Sequence, residues 1–253
     1  MKDLIKAAIK DTQVEPVARW LVKRSRGIRM PYDLVKNEIY DRQASEVMQR
    51  VLSPGSNCID IGCHHGQFLV EFLKHAPHGH HFAFEPLPDL ANALRATFAS
   101  VQVFELALSD KTGEATFFML PNAPALSGLR RREFIRPDEP RRELRVRTER
   151  LDAVIPPQIK IDLIKVDVEG AEGLVISGGL DTIKRNRPYI ILEHGRTSSA
   201  AFETNSEDIY DALVDQCGLT VSLLPDWLSG RRSLTKQEFI AQSEWYFLAH
   251  PAH

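Results

Sequence analysis

The stretch Cys58-Ile59-Asp60-Ile61-Gly62-Cys63-His64-His65-Gly66 decides how the rest of the chain is read. Cys58 to Ile61 is a short apolar run of the kind that forms a buried strand, and Gln67 to His75 continues as a helix. Between them Gly62 lets the backbone turn tightly and approach a ligand closely, and Gly66 lets the helix begin close to the strand. The spacing is D-x-G-x-x-x-G, which differs from the dinucleotide fingerprint G-x-G-x-x-G. A tight strand–helix turn holding no ligand would use the same residues.

Working outward, the chain alternates. His80 to Glu85 reads as a strand and Pro88 to Phe98 as a helix; Val101 to Leu108 and Ile161 to Val166 read as strands, with helical residues from Ala171. Tyr189 to Glu193 is a strand, Glu207 to Cys217 a helix, and Leu219 to Leu224 and Trp245 to Ala249 the last strands. Such alternation predicts an α/β fold, a doubly wound and mostly parallel sheet with helices on both faces, whose ligands bind beyond the carboxyl ends of the strands. Upstream, Leu4 to Leu21 is helical in spacing, a basic patch follows from Lys23 to Arg29, and a helix runs from about Val35 to Val51. The organisation expected is therefore a helical N-terminal extension over 1–53 and a ligand-binding domain over 54–253. One stretch breaks the alternation. Ala115 to Leu120 and Leu144 to Thr148 are extended and flank an irregular loop, about 120–145, read as a substrate loop. It carries Arg130, Arg131, Arg132, Arg136, Arg141, Arg142 and Arg145, which suit an anionic acceptor, although Glu133, Asp138, Glu139, Glu143 and Glu149 offset much of that charge.

Polar residues gather at the strand ends. Glu85, in Phe84-Glu85-Pro86, follows the glycine turn at the distance at which an acidic side chain accepts hydrogen bonds from ribose hydroxyls. Ala107, before Ser109-Asp110, is small enough to lie beside a flat base, and a plain turn explains it equally well. Lys165-Val166-Asp167-Val168-Glu169-Gly170-Ala171-Glu172 is too charged for a strand end with nothing polar bound, and Glu193-His194-Gly195 ends the next strand. Crowded carboxylates hold a cation, bind hydroxyls, or raise one pKa for proton transfer.

These segments together, IDIGCHHGQF, FEP, ELALSDKTGEATF, LIKVDVEGAE and RPYIILEHG, resemble the FkbM family of methyltransferases over roughly Tyr32 to Ala249, KVDVEGAE being the most specific. The resemblance implies a class I methyltransferase fold, a Rossmann-like sheet of seven strands with an antiparallel last strand. It implies S-adenosylmethionine as methyl donor and O-methylation of a sugar, glycan or small natural product. Carried onto this sequence, it puts Asp60, Gly62, Gly66 and Glu85 around the donor and Asp167 and Glu169 beside the transfer site, with Asp167 reaching both. His64 stands where the family often has Asn, and is a candidate polar contact to the donor. Asp167 and His194 are the candidate proton acceptors; a divalent cation that acidifies the hydroxyl is the alternative, and no metal site is assigned.

Bulk properties exclude several classes. A formal net charge of -2 gives no general pull toward nucleic acid, and no apolar run is long enough to span a bilayer. Cys58, Cys63 and Cys217 form no CxxC pair, which with the absence of a secretory leader points to a cytoplasmic enzyme. A small-molecule or glycan partner is expected, and homo-oligomerisation is left open. The competing readings are a nucleotide-cofactor oxidoreductase, which needs the missing dinucleotide glycines, and a non-catalytic donor-binding protein, which has no need of the acidic cluster.

Overall fold

A computed structural model of the chain describes residues 32–121, 127–130, 140–195, 202 and 205–252, with side-chain surroundings from residue 38 onward. The helix expected over Leu4 to Leu21, the basic patch from Lys23 to Arg29, and Arg131, Arg132 and Arg136 of the arginine loop lie outside the described residues. The chain divides into two compact units, Met1–Asp41 and Arg42–His253, and the sheet belongs to the second.

Helix α1 (Tyr32–Val51) ends inside the second unit, where Ala44, Val47 and Met48 are buried and Ser45 donates a 2.7 Å hydrogen bond to Glu71. Then come β1 (Cys58–Ile61), α2 (Gln67–His75), β2 (His81–Phe84), α3 (Pro88–Thr97) and β3 (Val101–Phe104). Pro88 opens α3, where its fixed φ is already helical and its missing N–H costs nothing. β4 (Ala107–Leu108), β5 (Gly113–Met119) and β6 (Arg142–Glu149) follow, then α4 (Leu151–Val154), β7 (Leu163–Val166), α5 (Glu172–Gly178), α6 (Leu180–Asn186) and β8 (Tyr189–Glu193). The last elements are α7 (Ser206–Asp211), which runs into a π-helical turn over Ala212–Gln216, β9 (Leu219–Leu223), α8 (Leu224–Leu228), α9 (Lys236–Ala241) and β10 (Tyr246–Pro251).

Seven strands make the main sheet in the order β3-β2-β1-β7-β8-β10-β9. All neighbours are parallel except β10, which slots between β8 and β9 antiparallel to both. β1, β2 and β7 are buried along their whole length, as central strands covered on both faces must be. From β1 the chain winds outward through β2 to β3, and from β7 it winds the other way. The strand order therefore reverses between β1 and β7, and in such sheets ligands bind at that point, beyond the carboxyl ends of the strands.

The single strand expected over Val101 to Leu108 is two. β3 ends at Phe104, and after Glu105-Leu106 the chain leaves the main sheet to form β4, which pairs with β6. An unbroken apolar pattern does not record where a strand changes partners. The extended segments expected on either side of the loop are β5 and β6, an antiparallel ladder from Gly113 opposite Thr148 to Met119 opposite Arg142. No helix among the described residues is long and apolar enough to cross a membrane.

Candidate active site

The turn after β1 is built on two glycines in the left-handed region, Gly62 at φ 79° and Gly66 at φ 77°. A Cβ on Gly62 would lie 1.9 Å from the carbonyl oxygen of Asp167, so only glycine lets the β1 turn touch the β7 turn across the switch point. A Cβ on Gly66 would meet Phe98 at 2.5 Å and Leu94 at 2.8 Å, so this glycine sets the packing of α2 against α3. Between them His64 holds a φ of 48°, a strained value for a side chain of that size. Its Nε2 is buried without a hydrogen-bond partner, and burial and the neighbouring His65 push its pKa down to about 4, leaving the ring neutral.

Glu85, one residue past β2, is 5% exposed. Its Oε2 accepts a 3.0 Å bond from the backbone N–H of His64 and its Oε1 a 3.0 Å bond from that of Leu87. The glycine turn and the start of α3 thus fix one carboxyl group at the carboxyl edge of the sheet, next to the switch point. Burial pushes its pKa up to about 7 against the pull of those two bonds. Leu87 also packs with Ala107, Phe117 and Val146 in a small apolar cluster, which places Ala107 in the side sheet next to the Glu85 turn.

At the centre lies a residue for which the sequence reading had no role, Lys165. It is 3% exposed. Its ammonium donates to the Gly62 carbonyl at 3.0 Å, pairs with Asp167 Oδ2 at 3.1 Å, approaches Asp60 Oδ1 at 3.6 Å, and lies 5.1 Å from the centre of the Phe68 ring. Desolvation lowers the pKa of Lys165, yet the Asp167 and Asp60 charges outweigh it and hold the group above its ordinary range. Asp60 is fully buried and its oxygens lack hydrogen-bond partners among the described residues; burial raises its pKa and Lys165 opposes the rise.

Register explains why these groups meet. Asp60 is opposite both Ala83 and Lys165, and Lys165 is opposite Ile191. Side chains two apart along a strand share a face. Asp60, Glu85, Lys165, Asp167 and Glu193 therefore belong to one face of the sheet, joined by Tyr246, which is opposite Glu193. Glu193 carries a pKa well above the carboxylate range, chiefly from burial, then from Asp167, with a hydrogen bond from the Tyr246 side chain pulling it down and Glu169 pushing it up. Glu169 has a φ of 58° and precedes Gly170 at 107°, so the loop after β7 turns sharply. A Cβ on Gly128 would come within 3.7 Å of the Glu169 Cβ, which brings a described part of the loop between β5 and β6 to this corner.

His194 follows Glu193 directly and so takes the opposite face. There its Nε2 is 2.8 Å from Ser206 Oγ, its Nδ1 is 3.7 Å from Glu172 Oε2, and its ring stacks on Phe239 at 5.8 Å. Glu172 also accepts the Gly170 N–H at 2.6 Å. The structure thus brings Asp60, Gly62, His64, Glu85 and Asp167 together, adds Lys165 and Glu193, and separates His194 and Glu172 from them. Among the described residues no group of three or more His, Cys, Asp or Glu side chains is arranged to hold a metal ion.

Residues 60–219, which hold this whole face from Asp60 to Glu193, match the model of the methyltransferase FkbM domain. The chain belongs to the FkbM methyltransferase family. This FkbM methyltransferase is 32% identical over 187 residues to the 2-O-methyltransferase NoeI of Sinorhizobium fredii, a match covering 66% of this chain and 72% of that protein. It is 29% identical over 234 residues to the AMB antimetabolite synthetase AmbE of Pseudomonas aeruginosa, covering 78% of this chain and only 11% of that much longer protein. In fold it is similar to the crystal structure of methyltransferase FkbM from Methylobacillus flagellatus, with a TM-score of 0.50 and 13% identity over 79% of this chain and 44% of that one. The fold is that of the class I methyltransferases, and the protein is a methyltransferase.

Proposed function

We propose that this FkbM methyltransferase transfers the methyl group of S-adenosylmethionine to a hydroxyl oxygen of a sugar, glycan or small natural product. The observation that carries the reading is the single sheet face on which Asp60, the Gly62 turn, Glu85, Lys165 and Asp167 converge at the switch point. Similarity to a protein named for 2-O-methyl transfer supports oxygen as the acceptor atom.

The residues present suit the donor. Glu85 has a buried carboxyl group ready to accept from a ribose diol. The apolar cluster of Leu87 and Ala107 adjoins it on the side for a flat base. Asp60, ion-paired to Lys165, and His64 keep buried polar atoms without hydrogen-bond partners beside the Gly62 turn, and Gly62 and Gly66 leave room for close approach. The donor, when bound, supplies an activated methyl on a sulfonium with a good leaving group. What remains for the protein is alignment and the exclusion of water, which in well-oriented systems is worth about 7–11 kcal/mol. Asp167 and Glu169 stand on the acceptor side, and a carboxylate of this corner receives the proton of the hydroxyl, a contribution on the order of 10²–10⁴-fold. His194 braces the same strand end from the other face.

Two measurements test this. Calorimetry should detect uptake of S-adenosylhomocysteine and none of NAD. Labelled methyl groups from S-adenosylmethionine should then enter an acceptor in fractionated cell extract, with mass spectrometry placing them on oxygen. No uptake of S-adenosylhomocysteine refutes the donor, and label on nitrogen or carbon refutes the acceptor class.

A further inference from the structure

We propose that Glu193 takes the proton of the acceptor hydroxyl, while Asp167 is a positioning residue held by the Lys165 ammonium. This rests on the methyl-transfer reading above and names the proton acceptor within it.

Three groups at the ends of β7 and β8 are chemically able to serve. Asp167 has one carboxylate oxygen 3.1 Å from a buried ammonium that also grips the Gly62 carbonyl. That oxygen is already engaged by the ammonium, which suits Asp167 to positioning rather than to taking up the hydroxyl proton. His194 faces the other side of the sheet, with Nε2 on Ser206 and Nδ1 toward Glu172. Glu193 shares the face of Asp167, one step beyond the Val166–Leu192 pair, and lies opposite Tyr246. The groups that face it are Lys165, Asp167 and Glu169 from β7 and its following loop, and Tyr246 from β10. Lys165 and the Tyr246 hydrogen bond favour its charged form; burial, Asp167 and Glu169 oppose it, and burial is the largest effect. Such a carboxylate binds a proton far more readily than an exposed one, as a general base near neutral pH requires.

The step balances. The hydroxyl O–H bond breaks and its proton passes to the Glu193 carboxylate. The oxygen forms the new O–C bond, and the C–S bond breaks with its electron pair left on sulfur. Lys165 stays paired with Asp167 throughout.

Full-length wild type, Glu193→Gln and Asp167→Asn are compared by two methods. In an infrared pH titration, Glu85 and Asp60 contribute protonated carboxyl absorption to both proteins, so the readout is the wild-type minus Glu193→Gln difference, which should contain one further protonated carboxyl band above the ordinary carboxylate range. With labelled S-adenosylmethionine and the acceptor fraction of cell extract, the wild-type rate should rise with pH as Glu193 deprotonates. Glu193→Gln should lose that rise and slow by on the order of 10²–10⁴-fold, with S-adenosylhomocysteine affinity unchanged and the melting temperature not lowered, since removing a carboxylate whose charge burial opposes does not destabilise the fold. Tyr246→Phe, which removes the bond that favours the charged form, should shift the rise to higher pH. A difference spectrum without that band, or a pH rise kept by Glu193→Gln and lost by Asp167→Asn, overturns the assignment. Failure of the underlying reading shows separately, as a wild type that does not bind S-adenosylhomocysteine.

Discussion

Replacing Lys165 by methionine tests whether one ammonium organises the site. The substitution keeps an unbranched apolar stem against Phe68 and removes the charge. Asp60 and Asp167 then lose their shared partner. Stranding a buried charge costs about 3–5 kcal/mol. The Asp167 side chain is 27% exposed and water screens much of its share, so the loss comes mainly from Asp60, whose side chain is 1% exposed. That sets the cost near the lower figure, about 3 kcal/mol, and at about 2–4 °C per kcal/mol for a domain of this size the melting temperature falls by about 6–12 °C. The pH dependence has a definite sign. Burial already raises the folded-state pKa of Asp60 and Lys165 restrains it. Without the ammonium it rises further, the folded state binds a proton that the unfolded state does not, and stability returns as pH falls. The deficit is therefore largest at alkaline pH and shrinks on acidification. In the wild type, Lys165 itself has a raised pKa, so its contribution is complete below the unfolded lysine value and fades only as pH climbs through the folded one. Thermal melts across neutral and alkaline pH would compare wild type, Lys165→Met and Lys165→Met/Asp60→Asn, and the double variant should recover most of the loss. A deficit that is the same at every pH, or a double variant no better than the single, refutes the reasoning.

Three further outcomes follow from the same geometry. Gly62→Ala drives a methyl group into the Asp167 carbonyl at a left-handed backbone position; it should cost on the order of 1–3 kcal/mol in stability and abolish the calorimetric signal for S-adenosylhomocysteine. Glu85→Gln removes charge-assisted hydrogen bonds worth about 1.5–3 kcal/mol, so S-adenosylhomocysteine affinity should fall roughly 10–150-fold. Because the Glu85 pKa is pushed up to about 7, wild-type affinity should strengthen as pH rises through that value and flatten in the variant. His194→Phe removes contacts to Ser206 and Glu172 on the far face and should lower the melting temperature without changing S-adenosylhomocysteine affinity; a weakened affinity would put His194 on the donor side.

The sequence announced the Gly62 turn and Glu85 because their spacing is itself the signal: a strand, a residue that must be glycine, and an acid at the next strand end. It announced the strands by their short apolar runs, and the antiparallel last strand by family resemblance. Lys165 stayed hidden because a lysine next to Val166-Asp167 reads as surface charge, and its burial depends on Asp60 lying opposite it across two strands far apart in sequence. Adjacency in the chain suggests one site for Glu193 and His194, whereas adjacency within a strand sends them to opposite faces. That clue was present in Tyr189–Glu193 all along. The departure of the chain after Phe104 could not be read, because Leu106, Ala107 and Leu108 are as apolar in the side sheet as they would have been in the main one.

The β5–β6 ladder has a consequence for engineering. Its base is fastened by Gly113 opposite Thr148 and by β4 alongside, and its last rung is Met119 opposite Arg142. Met119 and Arg142 face each other across the ladder, so the two ends of the segment between them are held side by side at fixed register. A segment from a relative, spliced at those two positions, would keep the register of the ladder and so test by exchange whether this segment selects the acceptor.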